Sequence, residues 1–311
     1  MHFANVIILL MQKILITGGT GLVGTALTQT LLAKGYGIHI FTRSANKNTS
    51  PANVQYYNWK PETGYYDAAA LQGVTAIINL AGAGVADERW TAARKQEILQ
   101  SRVQSGNVVT KILQASNNNI TTLIQASATG WYNPVRNTAI ATQEDEAAAT
   151  DYLGTTCKAW EDSIANVPLS VRVVKLRFGI ILSKQGGMVA KLVIPMAVGI
   201  LPVFGSGKQL VPWVHIADVC GIINYAITTS ISGVYNTVAS NPAAQKQLAK
   251  QIAVASHKRW FIAPPIPAFV LKLMLGEMSI EVLKSAEVSN DKIIKMGYNF
   301  LYPTVSSIAN L

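Results

Sequence analysis

One stretch of the sequence, residues 13–24, constrains the fold more than any other. A short apolar run rich in β-branched residues meets a cluster of glycines, and apolar residues then recur at helical spacing. This order predicts a strand, a tight turn and a helix. Gly18, Gly21 and Gly24 lie three residues apart. That spacing allows a sharp turn, a close approach of backbone to a pyrophosphate, and close packing of the helix on the strand.

A helix that begins at such a turn presents free N–H groups and the positive end of its dipole, which suits a phosphate. We therefore predict that a dinucleotide binds at this turn. The alternative is a glycine turn that is needed only for packing. The residues of the turn assigned to the cofactor are Gly18, Gly19, Thr20, Gly21, Leu22, Val23 and Gly24.

The end of the second predicted strand, residues 38–42, bears on the choice of cofactor. An acidic residue there would accept hydrogen bonds from the ribose 2′-hydroxyl of NAD, whereas an arginine accommodates the 2′-phosphate of NADP. Here Thr42 is followed by Arg43, with Lys47 nearby, and no acidic residue precedes Glu62. We predict NADP as the cofactor, in contact with Thr42 and Arg43. The alternative is that Arg43 is only a solvated surface charge.

Strands alternate with helices through most of the chain, which indicates an α/β fold with a Rossmann-like, doubly wound parallel sheet and a smaller C-terminal substrate lobe. Residues 176–212 and 241–311 break the alternation. We predict an NADP-binding domain over 11–240, to whose substrate lobe 176–212 contributes, and a small C-terminal domain over 241–311. Residues 1–10 are expected to be an extension, or the result of a start assigned too early.

Composition narrows the functional classes. Half of the 311 residues are apolar and 14% are charged, which predicts a large core. The formal net charge is +10, but the basic residues are scattered and form no nucleic-acid-binding motif, so the charge suits an anionic ligand. No run is apolar enough to cross a membrane, and Cys157 and Cys220 have no metal-ligand spacing. We expect a cytoplasmic monomer or homodimer that binds a small molecule, with no metal, nucleic acid or membrane partner.

A further strand end carries candidate site residues. The near-continuous apolar run over 74–80 predicts a buried parallel strand. Leu80, Ala81 and Gly82 close this run, and small residues at the carboxyl end of a central strand let a ligand lie against the backbone. We assign these three residues to the cofactor site. The alternative is a plain exit from strand to loop.

A long helix is predicted over 90–113. Its charged side chains include Arg94, Glu97 and Arg102, and we expect most of them to lie on a solvated face. The next predicted strand, 120–126, ends just before a serine.

These residues resemble the short-chain dehydrogenase/reductase superfamily in its extended form, and more narrowly the YfcH-like branch of NAD-dependent epimerase/dehydratase proteins. Beyond the glycine turn, the matching motifs are Asn79-Leu80-Ala81-Gly82, Arg89-Trp90, Ser101-Arg102, Trp160-Glu161, Leu176-Arg177-x-Gly179, Gly205-x-Gly207-x-Gln209, Trp213-x-His215-Ile216-x-Asp218, Gly276-Glu277-Met278 and Gly297-Tyr298-x-Phe300. The resemblance implies a Rossmann-like domain, NADP as the cofactor and a cleft under a C-terminal lobe. It also implies that Leu80, Ala81, Glu97 and Arg102 line the cofactor site.

The superfamily's proton-transfer pair is missing from this sequence. Its members normally use a serine together with Tyr-x-x-x-Lys, whose spacing places the phenol and the ammonium on one helix face. Aligned on the Trp-Glu motif, the Tyr position holds Leu153 and the Lys position holds Cys157. Ser127 keeps the serine position, with Thr129 as a close alternative, and is predicted to hold the substrate. Tyr132 is predicted to offer a phenol as proton donor, and Tyr152 could offer one from the helix. The alternatives are an ordinary strand-end hydroxyl and a packing aromatic.

Two functions are consistent with these features. The first is an NADP-dependent oxidoreductase or epimerase-like enzyme that acts on a small polar substrate. The second is a non-catalytic or weakly catalytic NADP(H)-binding protein that acts as a sensor or binds a partner, which the missing Tyr/Lys pair favours.

Overall fold

The structure is a computed structural model, and it describes residues 11–45, 51–115, 119–133, 144–256 and 261–310. Within these residues the strands are β1 (Lys13–Thr17), β2 (Gly37–Thr42), β3 (Val54–Lys60), β4 (Tyr65–Tyr66), β5 (Val74–Asn79), β6 (Thr122–Ala128), β7 (Arg172–Phe178), β8 (Ile180–Ser183), β9 (Val203–Phe204), β10 (Leu210–Val211), β11 (Trp213–His215), β12 (Gly233–Thr237), β13 (Ala243–Ala244) and β14 (Pro265–Ile266). The α-helices are α1 (Leu22–Leu32), α2 (Ala92–Gln114), α3 (Tyr152–Asp162), α4 (Gly187–Ala197), α5 (Ile216–Thr228), α6 (Gln245–Ala255), α7 (Ala268–Leu275), α8 (Ser279–Leu283) and α9 (Asp291–Lys295).

Eight strands form one sheet in the order β12-β7-β6-β5-β1-β2-β3-β4. Every neighbouring pair is parallel except β3 and β4. The chain winds outward from β1 through β2 and β3, then returns to β5 on the other side of β1 and continues outward through β6 and β7. β1 and β5 therefore mark the point where the strand order reverses, and their carboxyl ends leave the crevice in which open α/β sheets bind ligands. This topology confirms the predicted doubly wound α/β fold.

Helices cover both faces of the sheet, which is why its central strands are apolar on both sides. Leu27 of α1 and Ile222 of α5 belong to the buried cluster on one face. Val109 and Ile112 of α2 belong to the cluster on the other face. Alternate residues of β1 enter the two clusters, as the period of a strand requires.

A separate apolar cluster lies outside this sheet. It joins α4, α6 and the β9 and β10 strands to the C-terminal residues, with Leu192 and Ile252 fully or almost fully buried within it. Residues from 176–212 and from 241–311 thus share one core. The domain boundary at 240/241 stays a prediction.

Two motifs that are far apart in the sequence meet where the C-terminal tail lies on α5. The Asp218 carboxylate accepts hydrogen bonds from the backbone N–H groups of Leu301 at 2.7 Å and Tyr302 at 2.9 Å, and from the Tyr298 hydroxyl at 3.1 Å. His215 caps the start of α5, and its ring lies 3.8 Å from that of Tyr302, centroid to centroid. Because burial lowers the pKa of His215 to about 4, the ring is neutral and Nδ1 can accept the capping hydrogen bond.

Among the predicted boundaries that differ from the structure, two bear on the candidate site residues. β6 extends to Ala128, so Ser127 lies within a strand rather than after it, because the ladder with β7 continues to the last residue of each strand. α2 begins at Ala92 rather than at residue 90, because the Thr91 side chain caps its first turn by accepting a hydrogen bond from the Arg94 N–H at 3.1 Å. Of the helices in the described part of the chain, none has both the length and the apolar character that a bilayer crossing requires.

Candidate functional site

Of the three regularly spaced glycines in the turn between β1 and α1, two occupy positions where only glycine fits. Gly18 has φ +67°, and a Cβ on it would lie 2.9 Å from the carbonyl of Leu80. A Cβ on Gly24 would lie 2.3 Å from the carbonyl oxygen of Gly18, closer than any real contact. The expected sharp turn and the close packing of helix on strand are therefore confirmed. Gly19 is similarly confined, because a Cβ there would lie 2.7 Å from the Ile40 side chain.

Gly21 differs from these residues because it is open. It is exposed, and among the described residues a Cβ there would meet only the Gly18 oxygen, at 3.3 Å. Gly21 is also the N-cap of α1, which has no side-chain cap and no acidic residue in its first turn. The first amides of α1 are thus left for another acceptor, at the positive end of the helix dipole. Thr20 lies in the same turn and is exposed, and Val23 is half-buried.

Leu22 closes one side of this turn. Its side chain lies against the backbone between β8 and α4, where Cβ atoms on Gly186 and Gly187 would come within 3.3 and 3.2 Å of it. The glycine turn therefore touches the segment that leads into the second apolar core.

The end of β2 lies beside the glycine turn, because β2 pairs with β1 and Phe41 is level with Thr17. Thr42 is half-buried and Arg43 is exposed. The Arg43 side chain makes no hydrogen bond or ion pair with any described residue. Its charge is therefore available to a ligand at this edge. Lys47, which the sequence also placed nearby, lies outside the described residues.

A buried hydrogen-bond network fixes the loop after β5. The Asn79 Oδ1 accepts from the hydroxyls of Thr17 and Ser105, both at 2.5 Å, and its Nδ2 donates to Gln125 Oε1 at 2.8 Å. The Thr17 hydroxyl in turn accepts hydrogen bonds from the N–H groups of Leu80 and Ala81, the two residues that follow Asn79, both at 3.2 Å. All four network side chains are fully buried. We did not predict this network, although single polar residues within three apolar strands are a signal that could have found it.

Two arginines of α2 are buried, so our expectation of a solvated face is wrong for them. Arg102 is 9% exposed, donates to the carbonyls of Ala83 at 3.0 Å and Ile98 at 2.8 Å, and lies 4.9 Å from the centroid of the Trp160 ring. Arg94 donates to the carbonyl of Gly84 at 2.7 Å. Both guanidiniums satisfy carbonyls of the loop after β5, which explains why they are buried.

The structure brings some of the predicted cofactor residues together. Gly82 is exposed and directly in front of Arg102, because a Cβ on Gly82 would lie 3.0 Å from the guanidinium carbon. Glu97 points elsewhere: its side chain is 57% exposed and pairs with Arg94 at 2.7 Å. Contact of Glu97 and Arg102 with a cofactor stays a prediction.

Ser127 is one member of a second buried network. Its hydroxyl donates to Glu161 Oε1 at 2.7 Å, and Arg177 Nε donates to the same oxygen at 2.8 Å. Lys175 Nζ lies 3.7 Å from the other carboxylate oxygen. Glu161 and Arg177 are 3% and 2% exposed, so this is a fully buried ion pair. The Ser127 side chain thus has a charged partner within the protein.

Tyr132 belongs to the same network. Its hydroxyl donates to Asn236 Oδ1 at 2.6 Å and accepts from Arg177 Nη1 at 2.9 Å. The residue is fully buried, and burial raises the pKa of its phenol to about 12 although Arg177 acts in the opposite direction. The Trp131 ring covers the guanidinium of Arg177 at 3.7 Å. A phenol so held is a poor proton donor unless these contacts open.

On α3, the two positions that would present the superfamily's Tyr and Lys hold apolar side chains. Leu153 and Cys157 lie against the loop after β6, where a Cβ on Gly130 would come within 3.1 Å of Leu153 and 3.5 Å of the Cys157 sulfur. Burial raises the pKa of the Cys157 thiol to about 12, so the thiol is neutral. One further turn along the same face, at spacing i, i+4, i+8, comes Glu161.

Comparison with known proteins places this site in a family. The model of the NAD-dependent epimerase/dehydratase family matches residues 14–237, and a domain of unknown function, DUF1731, matches 266–309. The chain belongs to the NAD-dependent epimerase/dehydratase family. This confirms the resemblance that the sequence motifs indicated, including the family's small C-terminal domain.

Relatives are similar over nearly the whole chain. The epimerase family protein YfhF of Bacillus subtilis is 33% identical, and the alignment covers 94% of each chain. The chloroplastic SDR39U1 homolog of Arabidopsis thaliana, another epimerase family protein, is 31% identical over 93% of this chain and 83% of its own.

Solved structures agree in fold. The human epimerase family protein SDR39U1, crystallised with NADPH, superimposes with a TM-score of 0.85 at 27% identity, covering 96% of this chain and 98% of that one. The UDP-glucose 4-epimerase of Thermus thermophilus, in complex with NAD, has a TM-score of 0.75 at 16% identity, covering 96% and 97%. Because its identity is only 16%, the similarity to the Thermus thermophilus enzyme concerns the fold alone.

Proposed function

We propose that this protein binds NADPH in the crevice between β1 and β5 and acts as an NADP-dependent oxidoreductase or epimerase-like enzyme on a small polar substrate. The observation that supports it best is the geometry of the glycine turn. Gly18 and Gly24 leave no room for a side chain, whereas Gly21 is open in front of the uncapped start of α1. That arrangement fits a pyrophosphate.

The preference for NADP rests on Arg43. It is an exposed cation without a partner among the described residues, one strand from the glycine turn, and no carboxylate precedes Glu62 in the sequence. A guanidinium suits a 2′-phosphate, and a nearby carboxylate would repel one. The human SDR39U1 structure, which was solved with NADPH, agrees with this choice. Bound NADPH would supply a hydride to the substrate.

Contact of Ser127 and Tyr132 with the substrate stays a prediction. It requires both hydroxyls to exchange partners, because in this structure they are bonded to Glu161 and Asn236. Our proposal for turnover therefore depends on the cofactor geometry rather than on these two groups.

The cofactor proposal is tested by titrating the purified protein with NADPH and with NADH, followed by nicotinamide fluorescence. Arg43→Ala should weaken NADPH binding about ten- to hundredfold, the value of a charged hydrogen bond, and leave NADH binding unchanged. Lys34→Ala is the matched control, because Lys34 is an exposed cation just beyond the far end of α1. Equal losses for both cofactors in Arg43→Ala would refute the 2′-phosphate assignment.

Turnover needs a separate experiment. NADPH carrying deuterium at the transferable position is incubated with the protein and a cell extract, and small molecules are searched for the label by mass spectrometry. A labelled product supports an oxidoreductase. Tight NADPH binding with no labelled product would favour a protein that binds the cofactor as a sensor.

A further inference from the structure

The guanidinium of Arg102 on α2 is bonded within the protein through only one of its three nitrogens. Nη1 donates to the carbonyls of Ala83 at 3.0 Å and Ile98 at 2.8 Å. Nε and Nη2 make no hydrogen bond with any residue of the described ranges, yet neither is among the buried polar atoms that lack a partner there. Both atoms therefore still reach solvent, and both can donate to a ligand.

This guanidinium lies on the β5 side of the predicted cofactor crevice. A Cβ on the exposed Gly82 would lie 3.0 Å from the guanidinium carbon. Leu80 and Ala81, which lead to Gly82, lie against the glycine turn, because a Cβ on Gly18 would come within 2.9 Å of the Leu80 carbonyl and 3.0 Å of the Ala81 nitrogen. Continuous contact thus connects the glycine turn to Arg102.

The charge of Arg102 has no counter-ion in the described part of the chain. The residue is 9% exposed, and it forms no ion pair with a described carboxylate. Withdrawing a charge from water without an opposite charge is costly, so carbonyl dipoles and any aromatic ring nearby must compensate. An anionic ligand in the crevice would complete this environment.

Trp160 of α3 supplies that ring. The guanidinium carbon of Arg102 lies 4.9 Å from the ring centroid. Trp160 is 6% exposed, and its Nε1 is a buried donor without a partner among the described residues, so hydrogen bonding does not explain a tryptophan here. The indole does offer the aromatic face that attracts a cation most strongly, and the attraction increases away from water.

We propose that Trp160 is a positioning residue for NADPH binding, because its ring keeps the Arg102 guanidinium at the end of β5 with Nε and Nη2 free for the cofactor. The long arginine side chain would otherwise lose conformational freedom when the cofactor binds, and holding it in place beforehand raises affinity. This role of Trp160 rests on the proposed function, since it requires NADPH in the crevice.

The contact is tested by inserting mono- and difluorinated tryptophan at position 160 alone. Fluorine withdraws charge from the ring face and hardly changes its shape, so the attraction for a cation weakens stepwise. The dissociation constant for NADPH, followed by nicotinamide fluorescence, should rise with each fluorine, to about five- to tenfold in total. In an Arg102→Met background the same series should leave the constant unchanged. Urea midpoints of the cofactor-free proteins should fall along the series only where Arg102 is present.

Substitutions at the same position give a second measurement. Trp160→Leu, which lacks an aromatic face, should weaken NADPH binding about tenfold, whereas Trp160→Phe should stay within about threefold of wild type. Trp213→Leu is the matched control, because it removes a buried tryptophan from the separate apolar cluster and should lower stability without changing NADPH affinity. If Trp160→Leu does not fold, the fluorinated series, which preserves the packing, decides.

Two results overturn the positioning role in a protein that binds NADPH. One is a dissociation constant that fluorination does not change. The other is an equal rise in the Arg102→Met background, because the ring would then act through packing rather than through Arg102. A wild-type protein that does not bind millimolar NADPH refutes the proposed function instead, and the positioning role falls with it.

Discussion

At the carboxyl edge of the sheet, one half leaves polar groups exposed and the other half buries them. Around β1 and β5, glycines leave backbone amides and a helix terminus open, with Gly21 exposed in front of α1. Around β6 and β7, the corresponding space is filled by side chains, and the Glu161–Arg177 pair is buried. One half is arranged for a ligand and the other satisfies its own charges. The glycine turn is thus left open, while the two helix positions of the superfamily's proton-transfer pair hold a half-buried Leu153 and a buried Cys157.

Both halves nevertheless contain a layer of buried polar side chains. Across five strands, polar side chains occupy the face of the sheet that α2 and α3 cover, near the carboxyl ends. They are Thr17, Asn79, Gln125, Ser127, Arg177 and Asn236. The register puts Thr17, Asn79 and Gln125 level with one another, and it puts Ser127, Arg177 and Asn236 level in a second row. Hydrogen bonds connect the residues within each row, in the second row through Tyr132 and Glu161. A sheet face that helices cover is normally apolar. These polar groups can be buried there because hydrogen bonds satisfy them.

The largest expected effect comes from removing the carboxylate that holds the second half together. Glu161→Ala leaves Arg177 as a buried charge without its partner, which should lower the free energy of unfolding by about 3–5 kcal/mol. Urea denaturation followed by circular dichroism measures the change.

A matched control lies one residue along the same helix. Asp162 pairs with Lys158 at 2.6 Å, but both side chains are more than half exposed, so Asp162→Asn should cost less than about 1 kcal/mol. Similar losses in Glu161→Ala and Asp162→Asn would contradict the view that the second half is held by its buried ion pair.

In the first half, Gly24→Ala is expected to have the next largest effect. The new methyl would overlap the Gly18 carbonyl oxygen, which is backbone and cannot rotate away, so unfolding should become easier by about 3 kcal/mol, at the upper end for overpacked sites. NADPH binding should fall as well, because the turn must shift. Thr25→Ala, at an exposed neighbouring position, is the control. Unchanged stability and affinity in Gly24→Ala would mean that the turn is more adaptable than its geometry indicates.

The Tyr132→Phe substitution tests whether the phenol has a structural or a catalytic role. The change leaves Asn236 Oδ1 without the Tyr132 donor and Arg177 Nη1 with only the Glu144 carbonyl as its acceptor, so we expect a loss of about 1–2 kcal/mol in stability. Affinity for NADPH should stay unchanged. A stability equal to wild type, together with loss of turnover on a labelled substrate, would instead support the prediction that Tyr132 donates a proton.

The contrast between the halves also shows which features can be predicted from the sequence and which cannot. Glycine spacing and apolar periodicity are local properties, so the glycine turn after β1 and the doubly wound class of the sheet could be predicted from the sequence. The burial of Arg102 could not be predicted from the sequence, because it depends on carbonyls of a loop and on Trp160 of another helix. Likewise the pairing of Glu161 with Arg177 joins residues on two elements, and no local pattern indicates it.

The smallest effect concerns Cys157, which stands where the superfamily has its lysine. Burial raises the pKa of this thiol from 9.0 to about 12, so between those values the native protein binds a proton that the unfolded chain has lost. Stability must therefore fall as pH rises, approaching about 1.4 kcal/mol per pH unit and totalling about 1 kcal/mol between about pH 8 and pH 9.5. Cys157→Ala should remove this part of the slope, while Cys220, whose pKa burial raises to about 11, contributes equally to both proteins and cancels. Urea midpoints at the two pH values measure the difference. Parallel slopes would mean that the thiol reaches water, and that the lysine position is still open to solvent rather than closed into the core.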